Sequence, residues 1–128
     1  MIKKERVEEA SSTAWLRGSF VEKKGKIRPR LTLRKFGTLS LSNNKLTFKG
    51  QFFGLRKETI EIPLSKIRKV GLYRNALSIS YSEKPDSDET SRVLFEIAER
   101  RTGFLYISKY DAEMWIKVLE KRISELTH

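Results

Sequence analysis

Apolar and polar residues alternate along most of this chain, and the alternation changes period once, near its end. In the stretch 31–49, Leu31 and Leu33, then Leu39 and Leu41, then Leu46 and Phe48 each stand between polar neighbours. Period two predicts strands with one buried face. Asn43-Asn44 interrupts the pattern, and Asn accepts positive φ better than other residues bearing a Cβ. A two-residue primed turn is therefore expected there, closing a β-hairpin and fixing its register. Gly37 lies midway along the first arm, where the strand is expected to bend or bulge. Pro29 cannot donate to a ladder and belongs on an edge or near a strand start.

The same period returns at Thr59–Ile62, which stops at Pro63, then at Val70–Tyr73, Leu77–Tyr81, Val93–Ile97 and Phe104–Ile107. Turns are expected at Arg74-Asn75-Ala76 and over Glu99–Gly103. Ser82–Ser91 contains Pro, Asp and Ser and no apolar residue, which predicts an exposed acidic loop. From Ser108 onward the period becomes about 3.6. Ala112, Trp115, Ile116, Leu119, Ile123 and Leu126 fall on one side of a helix, with Glu113, Lys117, Glu120, Lys121 and Glu125 on the other. Ser108 suits the N-cap, and Asp111 stands at the third helical position.

These elements predict seven strands between about Pro29 and Ser108, followed by one amphipathic helix. Short connections favour an antiparallel meander that bends toward a barrel, with the helix burying its apolar stripe against it. Trp115, Leu119 and Phe48 should share one core with Leu41, Ile62 and Phe95. Alternate turns of a meander share an end, so Asn43-Asn44, Pro63–Lys66 and Arg100-Arg101 should gather at one end. Phe52-Phe53 and the Asp86–Glu89 loop should lie at the other. Residues 1–26 are read as a leader partly docked through Trp15, Leu16, Phe20 and Val21. Met1 to about Ser12 is charged and poor in apolar residues, which predicts a frayed stretch or a short helix over Lys3–Ala10, and Lys23–Lys26 is read as a turn. Residues 27–128 form the domain.

Composition narrows the chemistry. The 128 residues are 38% hydrophobic and 34% charged, which describes a globular chain with a highly charged surface. There is no Cys, so disulfides and thiolate metal sites are excluded, and the single His is the last residue, His128, which removes a His-based triad or metal site. Asp86, Asp88 and Glu89 lack the spacing of a calcium loop, and no glycine-rich phosphate loop is present. A non-enzyme without cofactor or metal is expected. No apolar run approaches the roughly 20 residues of a spanning helix, and the start of the chain has no apolar signal core. The expected location is the cytoplasm.

The net charge of +11 is unevenly placed. Up to Lys57 there are fifteen Lys or Arg against four Glu, whereas the remainder balances. Lys23, Lys24, Lys26, Arg28, Arg30, Arg34 and Lys35 form a run that no acid interrupts. Lys26, Arg28, Arg30 and Arg34 have the parity opposite to Ile27, Leu31 and Leu33, which predicts a core face and a basic outer face on one segment. Such a face either keeps the domain soluble or binds an anionic surface. Phe52, Phe53, Arg56 and Lys57, in the expected loop 51–57, form a candidate membrane-contact tip, or pack beneath that loop. Lys45, Lys66, Arg100 and Arg101 form a second basic pole.

Three pieces of the chain resemble the pleckstrin homology (PH) superfamily, nearest to its GRAM and prokaryotic PH-like members. Gly37–Phe48 is similar to the family's opening hairpin, Ile60-Glu-Ile-Pro-Leu-Ser-Lys-Ile67 to its passage from strand through Pro-Leu to Ile, and Ala112–Leu119 to its closing helix. The resemblance implies a seven-stranded bent barrel capped by the helix, with Trp115 as a structural plug. It also implies a binding module that docks on anionic phospholipids, among them phosphoinositides, or on protein partners. Arg28-x-Arg30 is similar to the second half of the family's lipid-binding signature. Peripheral attachment to the inner membrane face ranks first, a protein-interaction adaptor second, and nucleic-acid binding third, because the basic run is not interleaved with stacking aromatics.

Overall fold

In the computed structural model of the chain, residues 10–31, 35–51, 58–82, 84, 88–101, 104–107 and 109–126 are described. They form nine strands and one long helix: β1 (Ala10–Lys23), β2 (Lys26–Leu31), β3 (Lys35–Leu41), β4 (Lys45–Gln51), β5 (Glu58–Pro63), β6 (Ile67–Tyr73), β7 (Ala76–Tyr81), β8 (Glu89–Arg101), β9 (Phe104–Ile107) and α1 (Lys109–Leu126). A 3-10 turn, Leu64–Lys66, separates β5 from β6. All pairings are antiparallel, in the order β5-β4-β3-β1-β8-β7-β6, with β2 added to β1 and β9 to β8.

The class is thus mainly β with one C-terminal helix, as the periods predicted, but the count and the first element differ. Residues 10–23 are no leader: β1 is the middle strand of the sheet, pairing with β3 over Ala10–Leu16 and with β8 from Thr13 to Lys23. Its period was hidden by a bulge. Leu16 pairs with Phe95 and Gly18 with Leu94, so Arg17 is an extra residue that shifts the alternation. Ala14 and Leu16 face the core before it, and Ser19 faces the same way after it. Residues 1–9, where a frayed or helical start was expected, and the Ser108 N-cap lie outside the described residues.

The sheet is open: among the described residues β5 and β6, the ends of its order, do not pair with each other. They are nevertheless joined by only three residues, a span of about 10 Å at most. The sheet must therefore curl until its two ends meet at the 3-10 turn. Inside the curl, Leu16, Leu39, Leu41, Leu46, Phe48, Ile62, Leu77, Ile79, Val93, Phe95 and Ile97 form one core. α1 crosses it against β6, β7 and β8, burying Ala112, Trp115 and Leu119. The predicted grouping of Trp115, Leu119, Phe48, Leu41, Ile62 and Phe95 is present, with the Phe48 and Phe95 rings 5.2 Å apart. Trp115 is 4% exposed and its indole Nε1 donates to Ser12 Oγ at 2.9 Å, tying the helix to β1. Leu126, placed on the apolar stripe by its spacing, is exposed on the last turn.

Two local expectations are corrected. Neither Asn43 nor Asn44 has a positive φ. Their turn is held from outside instead: Ser42 N and Oγ both donate to Lys45 O, Asn44 O accepts from Leu64 N at 2.9 Å, and Arg122 Nη1 donates to Ser42 O at 3.2 Å. The primed turn lies at Lys24-Gly25, where φ is 52° and 80° in succession, closing the β1–β2 hairpin. Gly37 is not a bulge, because the β3–β4 register runs through it unbroken. A Cβ there would fall on the carbonyl oxygen of Lys49, so glycine is required by the close approach of β4.

Candidate functional site

The β1–β2 hairpin assembles the first part of the basic run. Lys23 pairs with Lys26 across the ladder and Val21 with Arg28, while Lys24 occupies the turn. Lys23, Lys24, Lys26 and Arg28 are all exposed, and none is ion-paired with another described residue. Among the described residues β2 pairs only with β1, so Pro29 lies on an edge as expected. Arg30 and Lys35 are strand positions whose side chains lie outside the description, as does Arg34 altogether. The candidate tip Phe52, Phe53, Arg56 and Lys57 also lies outside the described residues.

The faces of this hairpin are the reverse of those the alternation predicted. Opposed residues of an antiparallel pair share a face. Arg28 is opposite Val21, which is opposite Ser91, two residues from the core side chain of Val93. Lys23, Lys26 and Arg28 thus continue the core-side face past the end of the core. Ile27, opposite Glu22, which is itself opposite Thr90, stands on the outer face and is 62% exposed. The cause is the register shift between Ser19 and Phe20, where one extra residue of β2 inverts the parity that Ile27 shares with Leu31 in the sequence.

At the other end the expected grouping is partly visible. Lys45 lies opposite Pro63, and Asn44 is bonded to Leu64, so the Asn43-Asn44 turn and the Pro63–Lys66 passage are together. Lys45 Nζ is paired with Glu61 at 3.1 Å, and Lys66 is exposed. Thr13 is opposite both Thr38 and Ala98, which sends Arg100 and Arg101 of β8 toward the Leu41 end of β1. Glu89 lies opposite Lys23 at the far end, as the alternate-turn rule requires.

Comparison of the chain with protein-family models and with curated proteins finds no match.

One feature of the geometry was not predicted. On the outer face, Phe20 and Glu22 of β1, Ile27 of β2, Tyr73 of β6 and Arg92 and Leu94 of β8 line a cavity of about 230 Å³. Its signal in the sequence is Val93-Leu94-Phe95, three consecutive apolar residues in a strand, which demands cover on both faces. Glu96, on the same outer face as Leu94, is buried and accepts from Arg17 Nη1 at 3.0 Å, so the bulge residue supplies the cation that this carboxylate requires. Among the described residues no helix is long and apolar enough to cross a membrane.

Proposed function

We propose that the protein is a non-catalytic binding module of PH-like type that attaches peripherally to anionic membranes through the β1–β2 hairpin. The observation that carries this reading is the placement of four exposed cations, Lys23, Lys24, Lys26 and Arg28, on one hairpin end with no described counter-ion bonded to them. Each Lys or Arg close to an anionic leaflet contributes about 1 kcal/mol at physiological salt. Four such groups support reversible attachment without a dedicated pocket. The curled antiparallel sheet, with a C-terminal helix whose Trp115 enters its core, supports the PH-like part of the reading.

The test is co-sedimentation with phosphatidylcholine vesicles carrying rising phosphatidylserine, at low and high salt. The parent should bind at low salt and release as salt shortens the Debye length from about 10 Å at 0.1 M to about 3 Å at 1 M. Lys26→Glu with Arg28→Glu should weaken binding by on the order of 100-fold or more. The paired control Lys117→Glu with Lys121→Glu, on the exposed face of α1, should do much less. Equal losses from both pairs would show that net charge alone matters. Absence of binding by the parent would replace this reading with the protein-adaptor one.

A further inference from the structure

The outer-face cavity is separate from the hairpin cations, since Lys23, Lys26 and Arg28 project on the opposite side of the sheet. Its walls are mostly apolar: Phe20, Ile27, Tyr73 and Leu94. Ile27 and Tyr73 are 62% and 46% exposed, and among the described strand residues they are the only large apolar side chains so exposed. Both border this one cavity. Apolar surface left open in one concave place, rather than scattered singly, marks a site that takes an apolar group.

The polar groups fix what that apolar group carries. Arg92 lines the cavity, and its only described partner is Ser80, whose Oγ accepts from Nε at 3.4 Å. The rest of the guanidinium fork has no described partner. The β6–β7 turn, next to the lining residue Tyr73, holds a cation in a left-handed backbone: Arg74 with φ 58°. Glycine would occupy that place without strain, yet it presents a charge. The Arg74 guanidinium carbon lies 5.5 Å from the Tyr73 ring centroid, which holds that cation against the cavity wall. Glu22 is the only acid in the described lining. Arg92 and Glu22 offset each other in the described lining, and Arg74 adds a cation against Tyr73.

We infer that this cavity binds a single-chain anionic amphiphile, a fatty acid or similar monomer, with its chain against Phe20, Ile27, Tyr73 and Leu94 and its anionic head toward Arg92 and Arg74. The volume sets the chain count. An apolar cavity of about 150 Å³ holds one benzene ring, so 230 Å³ admits one medium-length chain and excludes the paired chains of a bilayer lipid. Glu22 opposes the head and limits affinity, which gives the inference a test by sign.

The experiment is titration of the 128-residue chain with decanoate below its micelle concentration, followed by calorimetry and by methyl NMR of Ile27 and Leu94. Decyltrimethylammonium serves as the charge control and butyrate as the chain control. Saturable binding of decanoate, with shifts at Ile27 and Leu94 and little response to either control, is expected. Arg92→Gln should weaken decanoate about tenfold, as loss of a charge-assisted bond does, whereas Glu22→Gln should tighten it. Ile27→Ser, at a position 62% exposed, should weaken it with little shift in the melting temperature. Absence of saturable binding, equal binding of the cationic amphiphile, or shifts confined to Ile67 and Ile123 on the helix side would each overturn the inference.

Discussion

The bond between Trp115 and Ser12 offers the sharpest test of the architecture, because it joins the last element to a strand that the alternation did not reveal. Trp115 is 4% exposed, and its indole lies in the cluster that contains Leu41, Phe48 and Phe95. Trp115→Ala removes a large side chain from a closed core and should cost about 3 to 5 kcal/mol. For a chain of this length that is a fall in melting temperature of roughly 10 to 20 °C. Ser12→Ala removes only the acceptor of the 2.9 Å bond and leaves the indole N–H without it, for a loss of about 1 to 2 kcal/mol. Trp115→Phe loses the donor and part of the ring together. In a double-mutant cycle on Ser12→Ala and Trp115→Phe, measured by urea unfolding, the two changes should fall short of additivity by about 0.5 to 1.5 kcal/mol. A coupling near zero, or a Trp115→Ala variant melting within a degree or two of the parent, would refute the burial of Trp115 and its bond to β1.

Other consequences follow from single side chains. Gly37→Ala should destabilise severely, by several kcal/mol and to the point of poor expression, because its methyl meets the Lys49 carbonyl rather than a movable side chain. Arg74→Gly should raise the melting temperature slightly, by relief of about 0.5 to 1 kcal/mol of left-handed strain, while weakening decanoate binding; a loss of stability would contradict the turn geometry. Arg17→Met removes the 3.0 Å ion pair to the buried Glu96 carboxylate and should cost about 1 kcal/mol or more, and less than that in a Glu96→Leu background, as read in thermal melts.

The helix and the β3–β4–β5 meander were legible in the sequence because each has one polar face. Ala112, Trp115 and Leu119 recur at helical spacing against a charged background, and Leu39, Leu41, Leu46 and Phe48 alternate with Ser, Thr and Lys. β1 was not legible, for two physical reasons. Arg17 inserts a residue in mid-strand, and Trp15 is packed 4.8 Å from Phe36 on the outer face, so apolar residues occur at both parities. With neither a constant phase nor a polar side, period two vanishes. The basic run was legible as a run, but its face was not: Ile27, assigned to the core by parity with Leu31, is at the surface because β2 shifts register against β1. The outer cavity could not be assembled from one segment, since its lining comes from four strands.

The central position of β1 also governs the order in which the molecule can form. Its ladder with β8 joins Thr13 to Ala98 and Lys23 to Glu89, the most distant pairings in the sheet, so nearly the whole chain must be available before that ladder closes. Closing so long a loop carries an entropic cost that local hairpins do not, and it is recovered only when the contact is made. A chain emerging from the ribosome can complete β1–β2, β3–β4–β5 and β6–β7 early, each from neighbours in sequence. Until β8 arrives, one side of β1 presents unpaired backbone donors and acceptors beside Leu16 and Ala14. Slow folding and exposure to edge-to-edge association before β8 is made are therefore built into a topology that places its first strand in the middle.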